Sequence, residues 1–378
     1  MRVGIVTWYG VTNYGSALQA YAMQRIVESA GHECHILRHP VHEHLEQGAR
    51  LTRVVGGLTR VRKLMPGRVQ GRLGESEKIR MIADFRAEHL NVTNTYIDKC
   101  EVDLAIIGSD QIFDIRSYHQ LQFGIGVNAN EIATYAPSFG ETSPKDLQQA
   151  EHRAAIQEAV SRMTLLSARD ENTKAVIASV DDRSAQLVLD PTLMYDFSDE
   201  QKTWMAPPPF DRYVVIYTWG GPTTSKEFAV SVRMFAKKQG LKTVSIGDNR
   251  PWCDLNLPSA SPIEFFSLIS QATVVVTNMF HGTCFALRAK VPVLPIVSPH
   301  NVNKLGDLLI RASMDTWRLD SIDTIADDPI PEVDWVSVEN ALHAERQASK
   351  AYLSELLSTG NDPNARTLRT GSGKEQRE

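Results

Sequence analysis

The feature that most constrains the fold of this chain is the alternation of short β-branched runs with amphipathic segments along most of its length. Strand-like runs such as 3–7 and 34–37 flank a helix-like segment at 16–27, and the alternation resumes at residue 213. Strands that alternate with crossover helices form parallel sheets. The sequence therefore predicts an α/β protein with mostly parallel sheets.

The chain is long enough for two such units. A single hydrophobic core usually stops growing at about 250 to 300 residues, and this chain has 378. Residues 206–210 include three consecutive prolines, which can neither join a strand ladder nor continue a helix. We therefore expect two Rossmann-like domains facing one another across a ligand-binding cleft. The expected organisation is an N-terminal domain over 1–205 with a basic helical excursion at about 50–90, a C-terminal domain over 206–315, a helical extension over 316–357 and a disordered tail over 358–378.

Composition and charge exclude several classes of function. A net charge of -5 with 42% hydrophobic residues is typical of a soluble globular protein and does not favour nucleic acid as a partner. No apolar run approaches the roughly 20 residues that cross a bilayer, and the first residues predict a strand, not a signal peptide. We therefore expect a cytoplasmic protein. The basic residues between 50 and 80 leave two interpretations open: a solvated helical excursion, or a peripheral contact with the inner membrane surface or a lipid-linked sugar diphosphate.

The cysteines and histidines do not predict a metal site. The four cysteines form no C-x-x-C pair, which argues against both a thiolate zinc site and a disulfide framework. A group of histidines between 32 and 44 coincides with a predicted strand and its exit loop. We expect neither a bound metal nor a cofactor.

The most informative polar turn follows the β-branched run 273–277. His281 and Gly282 stand at the start of the helix predicted after this run. The first amides of a helix lack intrahelical acceptors and lie at the positive end of its dipole, so an anion can bind there. An imidazole titrates near neutrality. Two interpretations remain open at this point: an acid/base group beside a phosphate site, or a histidine that only caps a turn.

Specific polar motifs occur at six strand-to-helix junctions. In chain order they are TNYGSALQAY at 12–21, GSDQIFD at 108–114, YAPSFG at 135–140, SARDE at 167–171, LDPTL at 189–193 and FHGT at 280–283. Together they resemble the polysaccharide pyruvyl transferase family, over roughly residues 3 to 312. The resemblance implies an architecture like that of B-type glycosyltransferases. It also implies an enzyme that moves the enolpyruvyl unit of phosphoenolpyruvate onto two hydroxyls of a cell-surface polysaccharide sugar or its precursor, forming a pyruvate ketal and releasing phosphate.

This chemistry requires a group that gives and takes protons and donors that hold a phosphate and a carboxylate. We expect His281 to be the catalytic residue and phosphoenolpyruvate to bind at Arg169, Gly282 and Thr283. The expected binding residues for the acceptor, a sugar or lipid-linked saccharide, are Asn13, Tyr14, Gly15, Ser109 and Asp110.

Several alternatives to these roles remain open. Arg169 could instead pair with Asp170 or Glu171, and Asp110 could cap the next helix. Asp190 is expected to hold backbone amides, while Trp219 and Asp248 could complete the acceptor site. The family often has an arginine two residues before the histidine, where this chain has Met279. The alternative functions are a sugar-nucleotide-dependent glycosyltransferase and a catalytically silent sugar-binding protein on the same scaffold.

Overall fold

The computed structural model describes residues 1–40 and 67–359 of the chain. The predicted α/β class is confirmed, because two five-stranded parallel sheets dominate the fold. The first part of the predicted basic excursion and nearly all of the predicted disordered tail lie outside the described residues, at 41–66 and 360–378. The interpretation of the excursion as a membrane contact therefore stays a prediction.

The first sheet has the strand order β3-β2-β1-β4-β5, and every pair in it is parallel. The two central strands, β1 and β4, are buried on both faces along most of their length, as expected for a parallel sheet covered by helices. The strands are β1 (Arg2–Val6), β2 (Glu33–Arg38), β3 (Val92–Tyr96), β4 (Val102–Ile107) and β5 (Ala129–Thr134). The helix α1 (Tyr14–Ser29) connects β1 to β2, and α2 (Gly67–His89) precedes β3.

A smaller two-stranded parallel sheet follows the first sheet along the chain. Its strands are β6 (Ser167–Ala168) and β7 (Gln186–Leu187), and the helices nearby in sequence are α3 (Pro144–Gln149), α4 (Arg153–Arg162), α5 (Glu171–Ala178), α6 (Pro191–Met194) and α7 (Ser198–Thr203). The segment directly before β6 runs beside β5 without forming a continuous ladder. It makes two backbone hydrogen bonds to β5: the Thr164 amide donates to the Ile132 carbonyl, and the Thr134 amide donates to the Leu165 carbonyl.

The second sheet repeats the order of the first, as β10-β9-β8-β11-β12. All its strand pairs are parallel. Its strands are β8 (Tyr213–Tyr217), β9 (Lys242–Ile246), β10 (Leu255–Leu257), β11 (Val274–Thr277) and β12 (Val293–Pro295). The connecting helices are α8 (Lys226–Gln239), α9 (Pro262–Ser270) and α10 (Phe280–Arg288). We propose the proline-rich segment 206–210, between the smaller sheet and β8, as the domain boundary.

Both large sheets change direction of winding at their central pair of strands. In the first sheet this point lies between β1 and β4, and in the second between β8 and β11. Ligands of doubly wound sheets bind outside the carboxyl ends of the strands at this switch point. The helices α1, α9 and α10 pack together in one hydrophobic core shared by the two sheets. This packing brings the two switch points close to each other.

The last two helices connect the second sheet back to the first. They are α11 (Asp307–Arg311) and α12 (Trp335–Thr359), and a π-helical turn over Val302–Gly306 leads into α11. The hydroxyl of Tyr352 in α12 donates to the carbonyl of Thr134 in β5, at 2.8 Å. Among the helices of the described part, none is both long and apolar enough to cross a membrane.

Candidate active site

Two cavities open at the carboxyl ends of the strands, between the two sheets. One, here called the His281 cavity, has a volume of about 700 Å³ and is lined by His281, Arg169 and Asp110 among others. The other, here called the Lys78 cavity, has a volume of about 670 Å³. Both are lined by Asn13, Asp110, Trp219, Met279 and Lys304. The cavities therefore adjoin along this shared wall.

The start of α10 supplies backbone donors to the His281 cavity. The Met279 amide donates to Thr277 Oγ1 at 3.0 Å, and the Thr283 amide donates to the Met279 carbonyl at 3.2 Å. The amides between them, of Phe280, His281 and Gly282, have no acceptor inside the helix. They lie at the positive end of the helix dipole, where an anion is stabilised.

His281 is nearly buried, at 5% exposure, and still lines the cavity. Its Nε2 lies 3.4 Å from Asp190 Oδ2, an ion-pair contact when the ring is protonated, although the angle does not meet that of a hydrogen bond. On the other side of the ring, a Cβ added to Gly15 would lie 2.3 Å from the Cβ, Cγ and Nδ1 of His281. Only a glycine at position 15 lets α1 approach the imidazole this closely.

Arg169 forms a buried ion-pair cluster with two carboxylates. Its Nη1 lies 3.0 Å from Asp190 Oδ2 and 3.4 Å from Asp110 Oδ1. Its guanidinium carbon is 4.3 Å from the centre of the Phe280 ring, and its Nε has no hydrogen-bond partner among the described residues. The alternative pairing with Asp170 is wrong, because that carboxylate caps α5 through the Thr173 amide.

Asp190 is the centre of this cluster, a position that the sequence did not indicate. Its Oδ1 accepts from the Thr192 amide, which confirms the expected backbone contact. Its Oδ2 faces Arg169, His281 and the hydroxyl of Ser109. Burial by itself would raise the pKa of Asp190, but His281 and Arg169 outweigh it and hold the pKa well below its usual range. The carboxylate is therefore ionised at the base of the site.

Asp110 stands where the two cavities meet. Its Oδ2 accepts from the Ser16 hydroxyl at 2.6 Å, and its backbone has a φ of 64°, a region that Asp tolerates better than most residues. Burial opposes ionisation of Asp110, but His281 and Arg169 overcome that effect and lower its pKa. The alternative role as a helix cap is wrong, since Asp114 caps the short helix that follows.

Lys304 is a second basic group at this junction that sequence reasoning missed. Its Nζ donates to Gln111 Oε1 at 3.0 Å, a contact from the π-helical turn to the loop after β4. Burial, and next the charge of Arg169, lower the pKa of Lys304. No local motif surrounds it in the sequence, because only the packing of the turn against the first sheet brings it to the cavities.

Several predicted binding residues do not face the cavities. Tyr14 is 0% exposed and stacks on Phe265 at 5.1 Å, so its ring cannot stack on a sugar. Ser109 is fully buried and donates to Asp190. Gly15 and Gly282 are close-approach positions. A Cβ added to Gly282 would meet Thr277 and Tyr217, so Gly282 offers only its backbone amide at the start of α10.

Two further predicted residues are partly committed to local structure. The Thr283 side chain is fully buried and its amide donates to the Met279 carbonyl inside α10. Asn13 lines both cavities, while its Oδ1 caps α1 by accepting from the amides of Gly15 and Ser16. Within the described residues, no group of three or more His, Cys, Asp or Glu side chains is placed to hold a metal.

Comparisons with known proteins identify both the family and the fold. The sequence model of the polysaccharide pyruvyl transferase family matches residues 13–301. No curated protein matches the sequence. Among solved structures, the UDP-GlcNAc 2-epimerase from Methanocaldococcus jannaschii has a TM-score of 0.51 at 11% identity, covering 95% of this chain and 100% of that chain.

UGT73P12 from Glycyrrhiza uralensis, complexed with glycyrrhetinic acid 3-O-monoglucuronide, has a TM-score of 0.50 at 9% identity. The match covers 98% of this chain and 97% of that chain. At such low identity these structures show the fold alone. The predicted B-type glycosyltransferase architecture, with two Rossmann-like domains, is confirmed.

Proposed function

Because the chain belongs to the polysaccharide pyruvyl transferase family, we propose that it transfers the enolpyruvyl group of phosphoenolpyruvate to a sugar of a cell-surface polysaccharide or its precursor. The product is a pyruvate ketal, and phosphate is released. One observation carries this proposal: His281, Arg169 and the start of α10 meet at a single cavity between the two sheets. The cavity thus combines a proton-transfer group with groups that bind anions.

The donor carries a phosphate and a carboxylate, so its site must supply positive charge and N–H donors. The unpaired amides at the start of α10 suit the phosphate. Arg169 and Lys304, which line the same cavity, provide the positive charge. Two carboxylates already neutralise part of the Arg169 charge, and for this reason the amides and Lys304 are expected to contribute much of the donor affinity.

The transfer requires proton movements that balance. A proton is added to the methylene carbon of phosphoenolpyruvate, which leaves a cation at the carbon bearing the phosphate. One sugar hydroxyl attacks this carbon and loses its proton. A second hydroxyl then displaces the phosphate and also loses its proton, so one of the two released protons replaces the one added to the methylene carbon. The other leaves with the phosphate.

We assign the protonation of the methylene carbon to His281, because an imidazole can donate a proton near neutral pH and accept one of the released hydroxyl protons afterwards. Asp190, ionised and 3.4 Å from Nε2, is expected to orient the ring. Asp110, at the junction of the cavities, is placed to accept the proton of an attacking hydroxyl. General acid–base catalysis of this kind contributes about 10²- to 10⁴-fold.

Isothermal titration distinguishes this function from the alternatives. We expect phosphoenolpyruvate to bind and UDP-sugars not to bind. Binding of a UDP-sugar alone would favour a glycosyltransferase, and binding of neither would favour a silent protein.

Phosphate release tests the role of His281. The substrates are phosphoenolpyruvate and saccharides extracted from the cell envelope of the source organism. His281→Ala should abolish release with little change in donor affinity, because the ring transfers protons and does not hold the phosphate. The matched control is His343→Ala, on an exposed position of α12. Turnover by His281→Ala at the wild-type rate would remove this residue from the mechanism.

A further inference from the structure

The Lys78 cavity contains side chains for which the proposed transfer has no role. Trp8, Lys78, Trp219 and Asp248 line it, and they come from both sheets and from α2. It adjoins the His281 cavity along the wall that includes Asp110. A compound bound in one cavity can therefore react with a compound bound in the other.

Trp219 presents an exposed indole on a backbone that is held firmly. The residue follows β8 and is 68% exposed. Its amide donates to Asn278 Oδ1 and its carbonyl accepts from Asn278 Nδ2, both at 2.9 Å. Asn278 directly precedes Met279 and α10, so the indole is anchored to the same loop as His281. A large, rigid apolar ring at a cavity wall is an effective binding surface, because few internal rotations are lost on binding.

Lys78 closes the opposite side of the cavity. This α2 residue donates from Nζ to the carbonyl of Gly247, after β9, at 3.0 Å. The ammonium lies 4.8 Å from the centre of the Tyr14 ring and 6.0 Å from that of Trp219. An ammonium has three N–H donors, and Gly247 accepts from one of them. In the described part of the chain, Lys78 can thus offer a further donor beside the indole.

The carboxylates of the Lys78 cavity can accept hydrogen bonds from hydroxyl groups. The lining of the cavity contains the two lysines Lys78 and Lys304 and the four acidic residues Glu75, Asp110, Asp114 and Asp248. Three of these carboxylates are held in place by arginines: Asp110 by Arg169, Asp114 by Arg116 and Asp248 by Arg250. Carboxylates accept hydrogen bonds from hydroxyls, whereas they repel a phosphate or a second carboxylate. An indole face combined with fixed carboxylates and an ammonium suits a ring that has C–H groups on its faces and hydroxyls around its edge.

We infer that the Lys78 cavity is the acceptor subsite and that it binds an uncharged pyranose. One face of the sugar ring lies on the Trp219 indole, and its hydroxyls bond to Lys78 and Asp248. A hydroxyl directed at Asp110 then faces the donor carbon in the adjoining cavity. The assignment of this sugar as the acceptor rests on the proposed function, whereas the binding of the sugar does not.

Saturation-transfer NMR tests this inference with probes of known structure. The probes are the methyl glycosides of glucose, galactose and mannose, with methyl glucuronide as the charged comparison. We expect at least one neutral glycoside to bind and the glucuronide to bind more weakly. Trp219→Ala should weaken the neutral glycoside about tenfold or more, because the stacking surface is lost. Trp219→Phe should largely restore binding, since it keeps an aromatic face.

Two further measurements separate this subsite from the donor site. Lys78→Met should weaken the glycoside, whereas Lys350→Met, an exposed charge change on α12, should not. Phosphoenolpyruvate should bind Lys78→Met with its wild-type dissociation constant, because Lys78 does not line the His281 cavity, and it should not displace the glycoside. The inference is overturned if no neutral glycoside binds, if Trp219→Ala binds it normally, or if phosphoenolpyruvate competes for the same site. If wild type fails to bind phosphoenolpyruvate but binds the glycoside through Trp219, the subsite is supported and the proposed function fails.

Discussion

Replacing Gly15 by alanine should abolish most of the activity without unfolding the protein. The added Cβ would lie 2.3 Å from three atoms of His281, where ordinary contact begins at about 3.4 Å. The imidazole or the start of α1 must therefore move by about 1 Å. A misplacement of this size in a catalytic group costs on the order of 10²-fold in rate, equivalent to about 2.7 kcal/mol in the activation free energy.

The loss in the free energy of unfolding should be smaller than the rise in the activation free energy. Overpacking of a core costs about 1–3 kcal/mol. Alanine is also more favourable than glycine in a helix, by up to about 1 kcal/mol, and position 15 lies in the first turn of α1. The free energy of unfolding should therefore fall by about 2 kcal/mol or less. Urea denaturation measures this change, and phosphate release from phosphoenolpyruvate measures the rate.

A double-mutant cycle isolates the contact between the two residues. His281→Gly removes all three atoms that the new Cβ would meet, so Gly15→Ala should no longer destabilise the protein in that background. A wild-type turnover number for Gly15→Ala would show that the new Cβ does not displace the imidazole. A loss of stability that persists unchanged in the His281→Gly background would show that the clash is not with His281.

Three further predictions concern the charges around the site. Met279→Arg should lower the dissociation constant of phosphoenolpyruvate, because Met279 lines both cavities and an arginine there adds a fork for the phosphate; an unchanged constant in titration would mean that Lys304 already fulfils this role. Asp190→Asn should lower the turnover number, because the carboxylate that contacts both His281 and Arg169 is lost and the ring is held less firmly; an unchanged turnover number would contradict the orienting role. Asp307→Asn should stabilise the protein at pH 7 and not at pH 4. Burial raises the pKa of Asp307 from 3.8 to about 6, so the folded state binds more protons than the unfolded state between these values and stability falls as pH rises through them. The full difference in the free energy of unfolding corresponds to at most about 3 kcal/mol. Thermal melts of the wild type and Asp307→Asn at pH 4 and pH 7 measure this difference, and an equal effect of the substitution at both pH values would contradict the prediction.

The main elements of both sheets could be read from the sequence because they depend on local patterns. The β-branched run 273–277 coincides closely with β11, and the second series of strands and helices begins with β8 at residue 213, as predicted. The edge strands β3 and β10 were not predicted. Their burial is incomplete, so they lack the apolar runs that identify the central strands.

The candidate site was predictable only where a motif supplies the chemistry directly. The turn before α10 indicated His281, and the SARDE motif indicated Arg169. The burial of Tyr14 and Ser109 was not foreseen, because a polar residue after a strand faces a cavity or the core according to how the neighbouring unit packs. Asp190 and Lys304 were missed as site residues for the same reason, since each reaches the cluster through residues distant in sequence.

The amino-acid sequence by itself determined the α/β class, the repeated order of strands and helices, and the residue types available for catalysis. These depend on interactions between near neighbours in the chain, namely hydrophobic periodicity, helix caps and turn residues. Only the tertiary structure decided which side chains share a cavity. The close approach of Gly15 to His281, the pairing of Arg169 with Asp190, and the placement of Lys78 beside Trp219 all arise where separate elements pack together, and no local pattern encodes such distances.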